Sequence, residues 1–371
     1  MTEQYYHPEL LRFAFVLGIV VSLAFYDRRH LTTGGIAVPG YLAFSVFQPL
    51  ILPAILLSAV VAHLVVRRLI ARRFLLSDSM VFSMTVVASA FIHVGLDQAL
   101  VAAEAVGPSS PLMRGIGYIV PGLIAHDFDR HGYRRTLVNT GCATALVSCA
   151  ILGASLADPS LVRLADSPVQ DVFPIGLAEL PVLIVMGVLA WLGVVRRHGL
   201  RCGGFVGSAY VALLLLQPVE LLRIIAIAGL TFGLVQVLKR GAILFGRRLF
   251  GAHLTIGALL AWASFRLSEL HGNADTIAVV TPSLSIVAML VTGLLSHDVE
   301  RAGLVRTAFG TVVSAALALS GTLVVVEAMG PARPLILSSW GALAGVIVLF
   351  LSVPHGRYVD VVRPIRRSLF A

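Results

Sequence analysis

The sequence predicts an all-α, polytopic membrane protein: two parallel tandem repeats, each with broken or re-entrant helices at Val-Pro-Gly, plus a C-terminal helix. Three observations carry that prediction. Apolar residues make up 58% of the chain and charged residues 13%, with a mean hydropathy of +0.92, which excludes a soluble fold with an ordinary polar surface. Gly34-Gly35, Tyr41 and Gln48-Pro49 recur 169 residues later as Gly203-Gly204, Tyr210 and Gln217-Pro218. Gly122, His126-Asp127, Arg130, Gly132 and Arg135-Thr136 recur 171 residues later as Gly293, His297-Asp298, Arg301, Gly303 and Arg306-Thr307.

A helix needs about 20 apolar residues to cross the hydrocarbon core. Stretches 13–26, 79–96, 136–157, 180–195, 249–265, 276–296, 307–326 and 335–353 meet or approach that length. The expected division is a first membrane unit at 8–157, an external linker at 158–172, a degenerate second copy at 173–330, and an extra helix with a basic tail at 331–371. No Lys or Arg precedes the first apolar run until Arg12, so that helix is expected to be retained rather than cleaved as a signal. Cys142, Cys149 and Cys202 have no CxxC spacing and read as small packing residues.

The formal charge of +9 does not point to nucleic acid, because the basic residues lie in short clusters at the ends of apolar runs. Seven such clusters, from Arg28-Arg29 to Arg357 with Arg363, Arg366 and Arg367, hold 22 of the 28 Lys and Arg residues. That is the positive-inside pattern. The linker instead carries Asp158, Asp166 and Asp171 against Arg163. If every basic cluster is cytoplasmic, the N-terminus is outside, the C-terminus is cytoplasmic, and each repeat makes an even number of passes, so the repeats are parallel. Residues 34–47 and 113–125 reach only about 20 Å as helices, too short to span. Both contain Val-Pro-Gly, where Pro removes a backbone donor and Gly admits unusual backbone. Irregular backbone at membrane depth is tolerated where protein or a water-filled cavity covers it. A polar site or pathway is therefore expected in the first copy.

Gly34-Gly35-Ile36-Ala37-Val38-Pro39-Gly40-Tyr41-Leu42 and the run from Arg114 through Gly115, Gly117, Tyr118, Pro121 and Gly122 to Ala125 resemble the two signature segments of the PgsC/CapC family. The resemblance covers roughly residues 10–157, and the long RGIGxxVPGLIA match is its specific part. It implies a non-catalytic membrane subunit of a poly-γ-glutamate or capsule synthase, supporting an ATP-dependent amide ligase and polymer export. Implied partners are that cytoplasmic ligase, other synthase subunits, the lipid bilayer and an anionic polymer. No cofactor, metal or catalytic residue is expected, and neither GxxxxGK[ST] nor GxSxG occurs. In the second copy Ser208-Ala209 replaces Pro39-Gly40, Ser285 replaces Arg114 and Thr292 replaces Pro121. The first copy is thus expected to hold the functional surface and the second to be a scaffold.

The expected substrate or polymer pathway comprises Pro39, Gly40, Tyr41, Asp97, Arg114, Gly115, Gly117, Pro121 and Gly122. Arg114 reads either as a guanidinium fork for polymer carboxylates or as an interfacial anchor paired with Asp97. At an offset of 169, Arg266 stands opposite Asp97 and Trp262 opposite His93, which favours pairing at Asp97 and packing at His93. His126, Asp127, Arg130, Arg134 and Arg135 are the expected partner-binding face, with the His-Asp pairs suited to helix-end and loop docking. Two other classes compete. Duplicated broken helices also suit an independent secondary transporter, and Asp97 with His93 on one helix face is the nucleus a membrane transferase would need.

Overall fold

The computed structural model describes residues 2–5, 8–29, 32–46, 51–70, 78–102, 115–158, 165–168, 180–200, 202–270 and 282–329. The expected helix at 335–353 and the basic tail lie outside these. The described chain is helical apart from one short antiparallel pair, β1 (Thr2–Tyr5) with β2 (Ala165–Pro168), which ties the N-terminal segment to the interrepeat linker.

The first copy contains α1 (Pro8–Arg29), α2 (Val38–Leu42) running into a 3-10 turn over Ala43–Val46, and α3 (Ile51–Val65). Then follow α4 (Asp78–Ala102), a 3-10 turn at Gly115–Tyr118, α5 (Val120–His131) and α6 (Tyr133–Ala157). The second copy contains α7 (Leu180–His198), α8 (Gly204–Leu214), α9 (Pro218–Gly241), α10 (Gly246–Leu270), α11 (Pro282–Ala302) and α12 (Leu304–Met329). Among the described residues seven helical segments are long and apolar enough to cross a membrane: α1, α3 with its π-helical continuation to Arg68, α6, α7, α9, α10 and α12. Their outward residues are large and apolar, as at Leu222, Ile225, Leu230 and Val237 of α9, which suits lipid rather than water as the surrounding solvent.

Within the first copy, α1, α2 and α6 pack together as one group and α3, α4 and α5 as another. The chain forms two compact units that do not follow the repeat boundary. Among the described residues, one holds those between 1 and 181 and between 218 and 297, so α9, α10 and most of α11 group with the first copy; the other holds those between 182 and 217 and between 298 and 329, including nearly all of α7, with α8 and α12.

The shortness of α2 and α5 has local causes. Pro39 and Pro121 stand in the first turns of these helices, where a missing N–H costs nothing. α5 ends at Gly132, whose φ of 78° lies in the region open to glycine, and α6 begins on the next residue. The second copy repairs one break. Ile286, Ala288 and Thr292 stand where the first copy has Gly115, Gly117 and Pro121, and α11 runs unbroken through them for 21 residues.

Candidate functional site

The two Val-Pro-Gly segments are seated by glycine contacts. A methyl group on Gly18 of α1 would lie 2.4 Å from the Gly40 Cα, and one on Gly40 would lie 2.6 Å from the Ala14 carbonyl oxygen. One on Gly122 would lie 2.6 Å from Ser89 Oγ and 2.8 Å from the Val86 Cα. Only glycine permits such approach, so α2 lies directly on α1 and α5 directly on α4. Pro39, Gly40, Tyr41, Gly117, Pro121 and Gly122 are all buried. Gly115 begins the 3-10 turn. Arg114 lies outside the described residues, and for Asp97 the described part is its backbone near the end of α4.

The same contacts fix how the copies align. Gly187 meets Ala209 in the second copy as Gly18 meets Gly40, an offset of 169. Gly293 meets Leu254 and Gly257 as Gly122 meets Val86 and Ser89, which sets α10 on α4 at an offset of 168. Burial agrees: Ser83, Thr85, Val86, Ser89, Ala90 and His93 of α4 correspond to Gly251, His253, Leu254, Gly257, Ala258 and Ala261 of α10, all buried. This corrects the sequence alignment by one residue. Phe265, not Arg266, stands opposite Asp97, and Ala261, not Trp262, opposite His93, so Arg266 carries no information about Asp97.

Freed from that correspondence, Trp262 and Arg266 belong to a cluster that sequence reading missed. Arg12 is fully buried in α1, bonded to Glu9 at 2.8 Å and Glu269 at 2.9 Å, with its guanidinium 5.2 Å from the Phe265 ring centre. The Trp262 indole N–H donates to Glu9 at 2.6 Å, and Arg266 pairs with Glu269 at 3.2 Å. At the other end of the same two helices Arg248 pairs with Asp27 at 3.0 Å and Arg247 lies 4.3 Å over the Tyr26 ring. Helices α1 and α10 therefore run antiparallel along their length, joining first copy to second. The i,i+3 spacing of Glu9 and Arg12 was the available signal.

A buried polar group also sits where α3, α4 and the Gly115–Tyr118 turn meet. His93 and Ser58 have no exposed surface; His93 Nδ1 lies 3.1 Å from Ser58 Oγ, and the ring meets Tyr118 edge-on at 6.0 Å.

Around the expected partner-binding face, the aspartate of each His-Asp pair acts as a loop dock. The Gly34 N–H donates to Asp127 at 3.0 Å, and in the second copy the Gly203 N–H donates to Asp298 at 2.8 Å. The Thr136 hydroxyl donates to the Asp127 carbonyl at 3.2 Å. His126 packs edge-on against Phe82, and burial, then Arg130, holds it below its ordinary value. Asp129 accepts from Arg67 and lies 3.5 Å from His63, drawing the end of α3 to α5. Arg130, Arg134 and Arg135 are exposed.

The family model described as capsule biosynthesis CapC matches this chain twice, over residues 17–137 and 186–308. A capsule biosynthesis protein CapC of Bacillus anthracis is 31% identical over 134 residues, covering 35% of this chain and 85% of the relative. A PGA biosynthesis protein CapC of Bacillus subtilis is 28% identical over 143 residues, covering 36% of this chain and 86% of that relative. No solved structure matches.

Proposed function

Starting from the premise that this chain belongs to the capsule biosynthesis CapC family, we propose that it is a non-catalytic integral membrane subunit of a poly-γ-glutamate, capsule-type polymer synthase. In this reading it supports a cytoplasmic ATP-dependent amide ligase and the export of the polymer. The observation that carries the reading is the double family match, with the family's irregular Gly115–Gly122 segment kept in the first copy and replaced by a continuous helix in the second. A chain that needs only one working copy can use the other as scaffold, in place of a second subunit.

The basic end of α1 is joined to α10 through Asp27 and Arg248, the loop that follows α1 is held to α5 by Asp127, and α5 takes Arg67, just beyond α3, through Asp129. We assign that end to the cytoplasm by the positive-inside rule, with Arg130, Arg134 and Arg135 facing the ligase. Segments around Pro39-Gly40-Tyr41 and Arg114 to Gly122, with Asp97, are assigned to the polymer pathway. There the Arg114 guanidinium suits polymer carboxylates.

The test is ATP-dependent incorporation of labelled glutamate into polymer by membranes carrying this chain with its cognate ligase. Incorporation is expected to fall to background without the chain, and to fall strongly with Arg114→Ala. Incorporation indifferent to the chain would overturn the reading. Charge removal at Arg130, Arg134 and Arg135 is expected to weaken ligase recruitment, read by co-purification with the membrane fraction.

A further inference from the structure

Ser58 Oγ lies 2.8 Å from the Ala54 carbonyl oxygen and 3.1 Å from His93 Nδ1. A carbonyl oxygen only accepts, and a hydroxyl has one proton to give. The Ser58 proton is therefore committed to Ala54, and Ser58 must accept from His93, which places a proton on Nδ1. In the neutral ring Nε2 then presents a bare lone pair. That atom is buried and has no hydrogen-bond partner among the described residues. An orphaned acceptor of this kind is expensive to keep in a membrane interior.

The second copy shows that the fold does not require it. At the aligned positions Ile227 stands for Ser58, Ala261 for His93 and Met289 for Tyr118, all buried. At these three positions the second copy carries only apolar side chains, none able to make a hydrogen bond of this kind. In the first copy the same positions hold a polar group beside the irregular turn Gly115–Tyr118, and irregular backbone at that depth goes with a polar site.

We propose that His93, held by Ser58, is a buried acceptor for an amide N–H of the γ-linked glutamate chain, a ligand site present only in the first copy. This rests on the reading of the protein as a poly-γ-glutamate synthase subunit. A carboxylate is the wrong partner, because its lone pairs would face that of Nε2; an amide-linked chain supplies one N–H per residue. His93 is here a positioning residue that orients the backbone, with no bond made or broken.

The experiment measures binding of a short γ-linked glutamate oligomer, and of the same oligomer with N-methylated amides, to the full-length chain in nanodiscs. The variants are His93→Asn, whose amide can still donate to Ser58 but offers nothing at the Nε2 position, and His93→Gln, which restores an acceptor near it. The expected result is roughly tenfold weaker binding of the unmodified oligomer by His93→Asn, partial recovery by His93→Gln, and no effect of either on the N-methylated oligomer. Thermal unfolding of each variant separates loss of the acceptor from loss of the fold. Equal binding of the two oligomers by the wild-type chain, or wild-type affinity in a folded His93→Asn, overturns the site. Polymer incorporation by the same nanodiscs with ligase tells the failures apart: if the chain is required and His93→Asn is fully active, the site falls and the subunit reading stands. If the chain is not required, the subunit reading falls.

Discussion

Asp127 accepts a hydrogen bond from the Gly34 backbone N–H at 3.0 Å across 93 residues of sequence. Gly34 has a φ of 76°, a conformation that turns its N–H toward the carboxylate and that other residues resist. Asp298 and Gly203 repeat the contact at 2.8 Å, with a φ of 67° at Gly203. The dock persists in the copy that has lost Pro39-Gly40, Arg114 and Pro121, so its role is architectural: it fixes the loop between α1 and α2 to α5, and its counterpart in the second copy likewise.

Removing that acceptor leaves a buried N–H without a partner. Asp127→Ala is expected to destabilise by about 1–3 kcal/mol, whereas Asp127→Asn retains an oxygen acceptor and loses less. Thermal unfolding in detergent checks the ranking, and equal loss in both variants would assign the effect to charge instead.

Arg12 is fully buried and is held by two carboxylates on different helices, so breaking its pairing strands charge rather than merely trimming a surface bridge. Arg12→Ala is expected to cost on the order of 3–5 kcal/mol. Chemical denaturation measures this, and Arg248→Ala, whose pair with Asp27 is more than two-fifths exposed on both sides, is expected to cost no more than about 1 kcal/mol.

Gly18 and Gly40 share a crossing with no room for a methyl group. Gly18→Ala is expected to lose about 1–3 kcal/mol or more through forced separation of α1 and α2. At Gly141, where nothing lies near an added methyl, Gly141→Ala is expected to be neutral or mildly stabilising. Comparing the two melting temperatures isolates the crossing from helix propensity.

Cys202, between α7 and α8, is buried, and burial pushes its thiol up to about 11, with hydrogen bonds from Ser314 and Ser208 opposing the shift. Only the thiolate reacts with maleimide. At pH 7 to 8 Cys202 is expected to stay unlabelled in the folded protein and to react after denaturation. Peptide mapping by mass spectrometry reads this, and rapid native labelling at Cys202 would contradict the buried site.

The doubled family segment and the apolar spans were legible in the sequence because each leaves a local mark, recurring glycines and long uncharged runs; the Val-Pro-Gly runs, expected as breaks within helices, instead open the short helices α2 and α5. Glu220 and Arg223, three apart on α9, pair at 3.3 Å, a contact their spacing alone favours. Asp97 shows where that kind of reading stops. Its comparison with Arg266 assumed one constant offset, but the copies differ by a residue between α3 and α4, and only the packing of Gly122 and Gly293 reveals the shift. Ser58 went unnoticed because a serine in an apolar run carries no periodic signal; its meaning comes from His93, 35 residues away.

The sequence alone determined the solvent, the helical class, the duplication and the family, since hydropathy and motif spacing are properties of the chain as a string. The tertiary structure decided which residues meet. It placed α10 of the second copy along α1 of the first, buried Arg12 between two carboxylates, and set His93 against Ser58 with one ring nitrogen left over. Such contacts depend on helix register and rotation, and a one-residue slip turns a helical side chain by about 100°, a difference invisible to composition and decisive for chemistry.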